Sequence, residues 1–367
     1  MRRLIAASML LFAAGCTGNG SPLPAAGGTD IQLAAAATSF APLAPLPDAR
    51  LADDRFIARD GTQLPLWRWL PEGVPVAVVL ALHGFNDYSK AFAGLGPVLA
   101  RRGIATYAYD QRGFGAAPER GRWAGENRMV SDAATAVALL RRRYPDVPLY
   151  LLGESMGGAV AILAASRAGA ARADLDGVIL VAPAVWGRQA MSLVERVGLW
   201  LADLVPSMQW SADNLPVRIL ASDNLPMLRA LGADPLVIKA TRSDTVNGLV
   251  DLMGDALAAA RRFDLRALLL YGEHDQIVPS EPMRQFVEEL PSQAARRQRI
   301  AFYPEGYHML TRDLEAPLVI RDIAAWMANP SAPLPSGADD EGRARLLGRP
   351  AADQSTPEPV PLAAANP

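Results

Sequence analysis

The sequence predicts an α/β domain, a mostly parallel central sheet with helices on both faces, and three observations carry that expectation. Short apolar runs recur through the middle of the chain, at residues 76–82, 104–109 and 149–152. Between them the apolar residues return every three or four positions, as Val130, Ala133, Val137 and Leu140 do, which is the period of a helix. Half of the 367 residues are hydrophobic, enough for a large core. A strand without polar alternation needs cover on both faces, and helices alternating with parallel strands supply it.

Taken in order, short strands are expected at 55–58 and 64–70, ahead of the buried strand 76–82. A helix over 90–101, a strand over 104–109, the helix containing Val130 to Leu140, a strand over 149–152, a helix from Ser155 and a strand over 178–181 continue the series. An interruption, about 184–263, breaks this rhythm. Its opening repeat of Met191, Val194, Val197, Leu201 and Leu204 predicts an amphipathic helix. Trp186, Trp200 and Trp210 read first as packing residues, while the segment as a whole is expected to form a lid with some apolar side chains facing an acyl chain. The rhythm resumes with strand 267–271, helix 282–290, strand 300–303 and helix 314–327.

The folded domain is therefore expected over 53–328, between two tails of different composition. Arg2 and Arg3 precede an apolar run, residues 4–14, too short to remain as a membrane span, so residues 1–15 have the layout of an export signal. Ala13-Ala14-Gly15-Cys16 resembles a bacterial lipobox, with Ala13 where a larger aliphatic residue is usual. That resemblance implies an acylated Cys16 at the mature N-terminus and a membrane-anchored lipoprotein; the alternative is a periplasmic or secreted protein cut nearby. Residues 16–52, rich in Ala, Pro, Gly and Ser, are expected to be a flexible linker, and 329–367 a disordered tail. Cys16 is the sole cysteine, so no internal disulfide can form. A net charge of -2, with scattered arginines and only two lysines, argues against a nucleic-acid partner. No obligate protein partner is indicated either.

The chemistry-bearing residues fall at the ends of the expected strands. Gly153-Glu154-Ser155-Met156-Gly157 follows strand 149–152 and opens a helix, the context of a nucleophile elbow whose flanking glycines relieve a tight turn. His83-Gly84-Phe85 ends strand 76–82, where this architecture places half of an oxyanion hole; the backbone N–H groups of Phe85 and Met156 are the expected donors. Of the three histidines, His83 precedes a turn and reads as a residue bonding its own loop. His274 and Asp275 follow strand 267–271, and His308 follows the last strand. The chain order serine, acid, histidine selects Ser155, Asp275 and His308, with Glu273 an alternative acid. No metal-ligand cluster or cofactor motif is present in this pattern.

The segments HGFND, DQRGFG, GESMGG, GEHDQIVP and GYHML, in this order, resemble the monoacylglycerol lipase and lysophospholipase (serine aminopeptidase-like) branch of the α/β-hydrolases over residues 53–328. The resemblance implies the α/β-hydrolase fold and cofactor-free cleavage of carboxylic esters, monoacylglycerols or lysophospholipid-like lipids, through an acyl-enzyme. It also implies an architectural role for Asp110 and Arg112. Acyl transfer or amide hydrolysis on the same residues, and a non-catalytic membrane-tethered scaffold, are the competing expectations.

Overall fold

The computed structural model describes residues 48–348 apart from 168–169, 189–190, 192, 194–195, 197, 201–203 and 212–218. Cys16, the expected signal, most of the linker and the tail beyond 348 lie outside the described residues. So does much of the helix expected from Met191 to Leu204.

Eleven strands are described: β1 (Arg50–Leu51), β2 (Arg55–Ile57), β3 (Gln63–Trp69), β4 (Ala77–Leu82), β5 (Ile104–Tyr109), β6 (Leu149–Glu154), β7 (Gly177–Val181), β8 (Gln209–Ser211), β9 (Ala240–Arg242), β10 (Ala267–Gly272) and β11 (Gln298–Tyr303). The helices are α1 (Leu95–Ala100), α2 (Glu126–Arg143), α3 (Met156–Ser166), α4 (Ala170–Asp174), α5 (Leu225–Ala233), α6 (Ser243–Ala259), α7 (Ser280–Glu289), α8 (Ala316–Ala328) and α9 (Gly342–Leu346). Nine strands form one sheet in the order β1-β2-β3-β5-β4-β6-β7-β10-β11. β1, β2, β3 and β5 pair antiparallel, and every pair from β5 to β11 is parallel.

The apolar runs are strands because both faces are covered. In β4, Val78, Leu80 and Leu82 face a core that includes residues of α2, α3, α6 and α7, while Ala77, Val79 and Ala81 face a second core with residues of α1 and α8. This alternation is the two-residue period of a pleated strand with no solvent side.

The helix expected at 90–101 is divided into a 3₁₀ turn at Ser89–Phe92 and α1. Pro97 is the reason: a proline is tolerated only in a helix's first turn, so the regular helix starts just before it, at Leu95. The interruption at 184–263 contains the small β8–β9 ribbon, α5 and α6. Its last element does not stand off from the sheet: Val250, Leu252, Met253, Ala256 and Leu257 of α6 lie in the main core with α3.

The disordered tail expected from Asn329 is corrected for residues 329–348. Leu334 and Leu346 are buried, the Phe302 N–H donates to the Ala338 carbonyl at 2.8 Å, and Arg299 pairs with Asp339. This segment covers β11, the last strand of the sheet, whose unpaired edge would otherwise offer a template for association. Strand pairing likewise begins at Arg50, inside the expected linker.

The order in which strands are added to the sheet reverses at β4: β5 is laid on one side of it and β6 on the other. In open α/β sheets the crevice at such a switch point, beyond the strands' carboxyl ends, is where ligands bind. Parallel pairing brings the loops after β4, β6, β10 and β11 to that one edge, and all the expected chemistry lies on them.

Candidate active site

Ser155 occupies the single residue between β6 and α3, with φ 54° and ψ -118°. A side chain rarely adopts that backbone, and it persists only where the surroundings hold it. Here the Ser155 N–H donates to the Val181 carbonyl at 3.0 Å, and its own carbonyl accepts from Ala184 N at 2.9 Å. Gly157 is obligatory at this turn because a Cβ there would overlap the Leu82 carbonyl oxygen. The turn thus presses α3 against the end of β4. Met156 is the first residue of α3, so its N–H is among those a helix leaves without an intrahelical acceptor.

The loop after β4 lies directly beside this serine. A methyl group on Gly84 would stand 3.3 Å from Ser155 Cβ and 3.9 Å from Oγ. Asn86, left-handed at φ 63°, ties the turn to the inserted segment by two hydrogen bonds: its carbonyl accepts from Ile238 N at 2.9 Å, and its Nδ2 donates to Thr241 Oγ1 at 2.7 Å. His83 contributes to the same scaffold. Its Nε2 accepts from the Gln111 N–H at 2.9 Å, so Nδ1 carries the proton and donates to the Gly84 carbonyl at 2.8 Å. Burial pushes the His83 pKa down, and with both ring nitrogens committed it is a neutral strut.

His308 and Asp275 meet across the ends of β11 and β10. His308 Nδ1 lies 2.8 Å from Asp275 Oδ2, and the Asp275 side chain is fully buried. A carboxylate only accepts, so Nδ1 donates and the neutral ring's Nε2 presents a lone pair. The other carboxylate oxygen accepts from Ile277 N at 2.8 Å and Val278 N at 2.9 Å, which fixes the plane of the acid. Burial alone would depress the His308 pKa, but the Asp275 charge and hydrogen bond outweigh it and the net shift is upward. Glu273, the alternative acid, and His274 are both exposed, and the His274 ring packs on Tyr307 instead.

Asp110 and Arg112 build the neighbouring turn. Asp110 accepts from Ser89 N at 3.0 Å and Ala116 N at 2.8 Å, while Arg112 forks onto both Asp132 (2.6 and 3.0 Å) and Asp60 (2.8 and 2.9 Å). The Arg112 hydrogen bonds hold the Asp60 carboxyl below its usual range.

Sequence reasoning missed a charge cluster next to the serine. Glu154, the residue between Gly153 and Ser155, accepts from Thr311 Oγ1 at 2.9 Å and from Arg312, which also donates to Asp87 at 2.6 Å. Asp87 belongs to the loop after β4 and Arg312 to the loop of His308. An acid immediately before the nucleophile was the one available signal, since a carboxylate at a buried strand end requires a partner.

Comparison with known proteins places the fold in a family. Residues 73–315 match the Hydrolase_4 family, serine aminopeptidase, S33. The monoglyceride lipase of Rattus norvegicus is 28% identical over 282 residues, covering 74% of this chain and 88% of the relative. The monoacylglycerol lipase of Mycolicibacterium smegmatis is 24% identical over 284 residues, covering 76% and 97%. Among solved structures, the monoacylglycerol lipase of Paleococcus ferrophilus superposes with a TM-score of 0.58 at 25% identity, over 72% of this chain and 98% of that one. A monoglyceride lipase from Saccharomyces cerevisiae, a soluble variant bound to a substrate analogue, shares the fold with a TM-score of 0.63 at 20% identity, over 73% and 92%. The match spans the sheet from β4 to β11 and the loops that carry Ser155, Asp275 and His308, and the chain belongs to the Hydrolase_4 (serine aminopeptidase, S33) family of α/β-hydrolases, in its monoacylglycerol lipase branch.

Proposed function

We propose that this serine carboxylic ester hydrolase cleaves monoacylglycerols or closely similar single-chain lipid esters, with Ser155 as nucleophile, His308 as base and Asp275 orienting the base. The observation that carries the reading is the 2.8 Å bond between His308 Nδ1 and Asp275, in a chain whose one strained strand-to-helix serine among the described residues is the glycine-flanked Ser155. His308 Nε2 takes the serine proton as Oγ attacks the ester carbonyl, and the N–H groups of Phe85 and Met156 hold the oxygen that becomes negative. The proton returns to the departing alcohol, and water repeats the sequence on the acyl-enzyme to release the acid. Large apolar side chains exposed in the inserted region, among them Trp200, Leu204, Met208, Trp210 and Ile219, support a lid that receives an acyl chain.

A hydrolysis screen tests the substrate class. Monoacylglycerols of graded chain length are expected to be turned over faster than lysophosphatidylcholine, triacylglycerols and aminoacyl p-nitroanilides. Preference for the anilides would replace the esterase reading with a peptidase one, and preference for the phospholipid would move the head group.

We further propose that the protein is exported and anchored by acylated Cys16, on the strength of the lipobox-like sequence ahead of it. Cys16→Ser is expected to move the protein from the membrane fraction to the soluble one with kcat unchanged. Membrane retention of that variant after signal cleavage would remove the anchor from the account.

A further inference from the structure

Three loops must hold one register if the site is to work: the loop after β4, which carries Phe85; the turn at Ser155; and the loop after β11, which carries His308. One guanidinium touches all three. Arg312 lies four residues beyond His308, donates through Nη1 to Asp87 Oδ2 at 2.6 Å and through Nη2 to Glu154, and leaves only 10% of its side chain exposed. Its neighbours reinforce both ends: Thr311 Oγ1 donates to Glu154 Oε2 at 2.9 Å, and Tyr88 N donates to Asp87 Oδ1 at 2.8 Å. The inserted segment is pinned to the same loop, since Asn224 Nδ2 donates to the Arg312 carbonyl at 2.9 Å and Met309 N donates to the Ala221 carbonyl at 3.0 Å.

We propose that Arg312 is a positioning residue of the ester hydrolysis: its guanidinium, clamped between Asp87 and Glu154, sets the oxyanion loop, the Ser155 turn and the His308 loop at their working separation. This rests on the assignment of Ser155 and His308 proposed above. Arg312 itself reaches no reacting atom; it acts through the three loops. Arginine suits the task because its planar fork spans two carboxylates at fixed angles, which a lysine ammonium cannot do. The requirement is steep, because a displacement of about 1 Å between reacting groups can cost about 10²-fold in rate.

The cluster also bears on the base. The charged groups acting on His308 are Asp275 from the loop after β10, Glu154 from the end of β6, and Arg312 from its own loop. Asp275 and Glu154 favour the imidazolium and Arg312 opposes it. Asp87 is held by Arg312, and Asp313 accepts from Tyr307 N at 2.8 Å in the same loop. A change to either end of the clamp therefore leaves a signature on the pH profile that a merely structural defect would not.

The test is steady-state hydrolysis of p-nitrophenyl butyrate from pH 5 to 9, with the rate of inactivation by a fluorophosphonate and a thermal melt, on the full chain and on R312M, R312K and E154Q. R312M is expected to lose about 10²-fold in kcat and in inactivation rate with KM nearly unchanged, and its acid limb moves to higher pH because two carboxylates lose their cation. R312K recovers roughly tenfold of that loss. E154Q, which keeps hydrogen-bonding atoms and stands in should R312M fail to fold, moves the acid limb to lower pH. Folded variants with wild-type kcat and pH profile overturn the proposal, as does activity lost only in proportion to unfolded protein with the acid limb unmoved. Activity surviving in Ser155→Ala would strike the underlying assignment instead, independently of Arg312.

Discussion

Ser155→Ala is expected to fold normally and to hydrolyse esters about 10⁴ to 10⁶ times more slowly than the wild type, measured as kcat on a monoacylglycerol and as loss of fluorophosphonate labelling. The substitution removes one oxygen and leaves the backbone hydrogen bonds of the turn in place. Any residual rate would come from the oxyanion donors and substrate binding. Near-wild-type turnover would mean that another group attacks the carbonyl. The same residue offers a second readout, because φ 54° and ψ -118° lie outside the basins open to side chains. Backbone strain of this kind costs about 1–3 kcal/mol, and glycine releases it. Ser155→Gly should therefore be inactive and yet melt a few degrees higher, at about 2–4 °C per kcal/mol recovered. A lower melting temperature would contradict the strained turn.

Asp275→Asn is expected to lower kcat by about 10⁴-fold while leaving the thermal melt close to wild type. The reason is the orientation of the acid. Ile277 N and Val278 N donate to Asp275 Oδ1, so an asparagine would place its carbonyl there and turn its NH₂ toward His308. The imidazole must then accept at Nδ1 and carry its proton on Nε2, the tautomer that cannot receive a proton from Ser155. The pH profile should shift with it. In the wild type the His308 pKa lies above its ordinary value of about 6.5, so kcat/KM rises with pH through an inflection above that value. The linkage has the matching sign: stability from the charged pair is complete below the unfolded pKa and fades as pH rises through the folded one, where the neutral base appears. Asparagine removes the attraction but not the burial, so the inflection moves to lower pH. An unchanged profile would separate His308 from the titration.

Much of the candidate site was legible in the chain because each part is a local structure. A serine between glycines after an apolar run is a turn before it is anything else, and Gly157 shows why: no Cβ fits against Leu82. His83 was readable as a loop strut for the same reason, since it contacts its own turn and the strand end next to it. Three of the expected elements changed, one through a local proline and two where packing overrode local pattern. Pro97 shortened α1, α6 joined the core at the end of an apparent insertion, and residues 329–348 folded because the edge of β11 offers hydrogen bonds and apolar cover that composition does not reveal.

Repeating apolar runs and the turns between them determined the layered fold and the loops on which the candidate site residues stand, because those are properties of neighbouring residues. Tertiary structure alone decided that Asp275 and not Glu273 faces His308, two positions apart on one exposed-looking loop. It also decided that Arg312 joins Asp87 and Glu154, 225 and 158 residues away in sequence. Side-chain charge pairs of that separation follow from where parallel strands end in space, and no local periodicity encodes it.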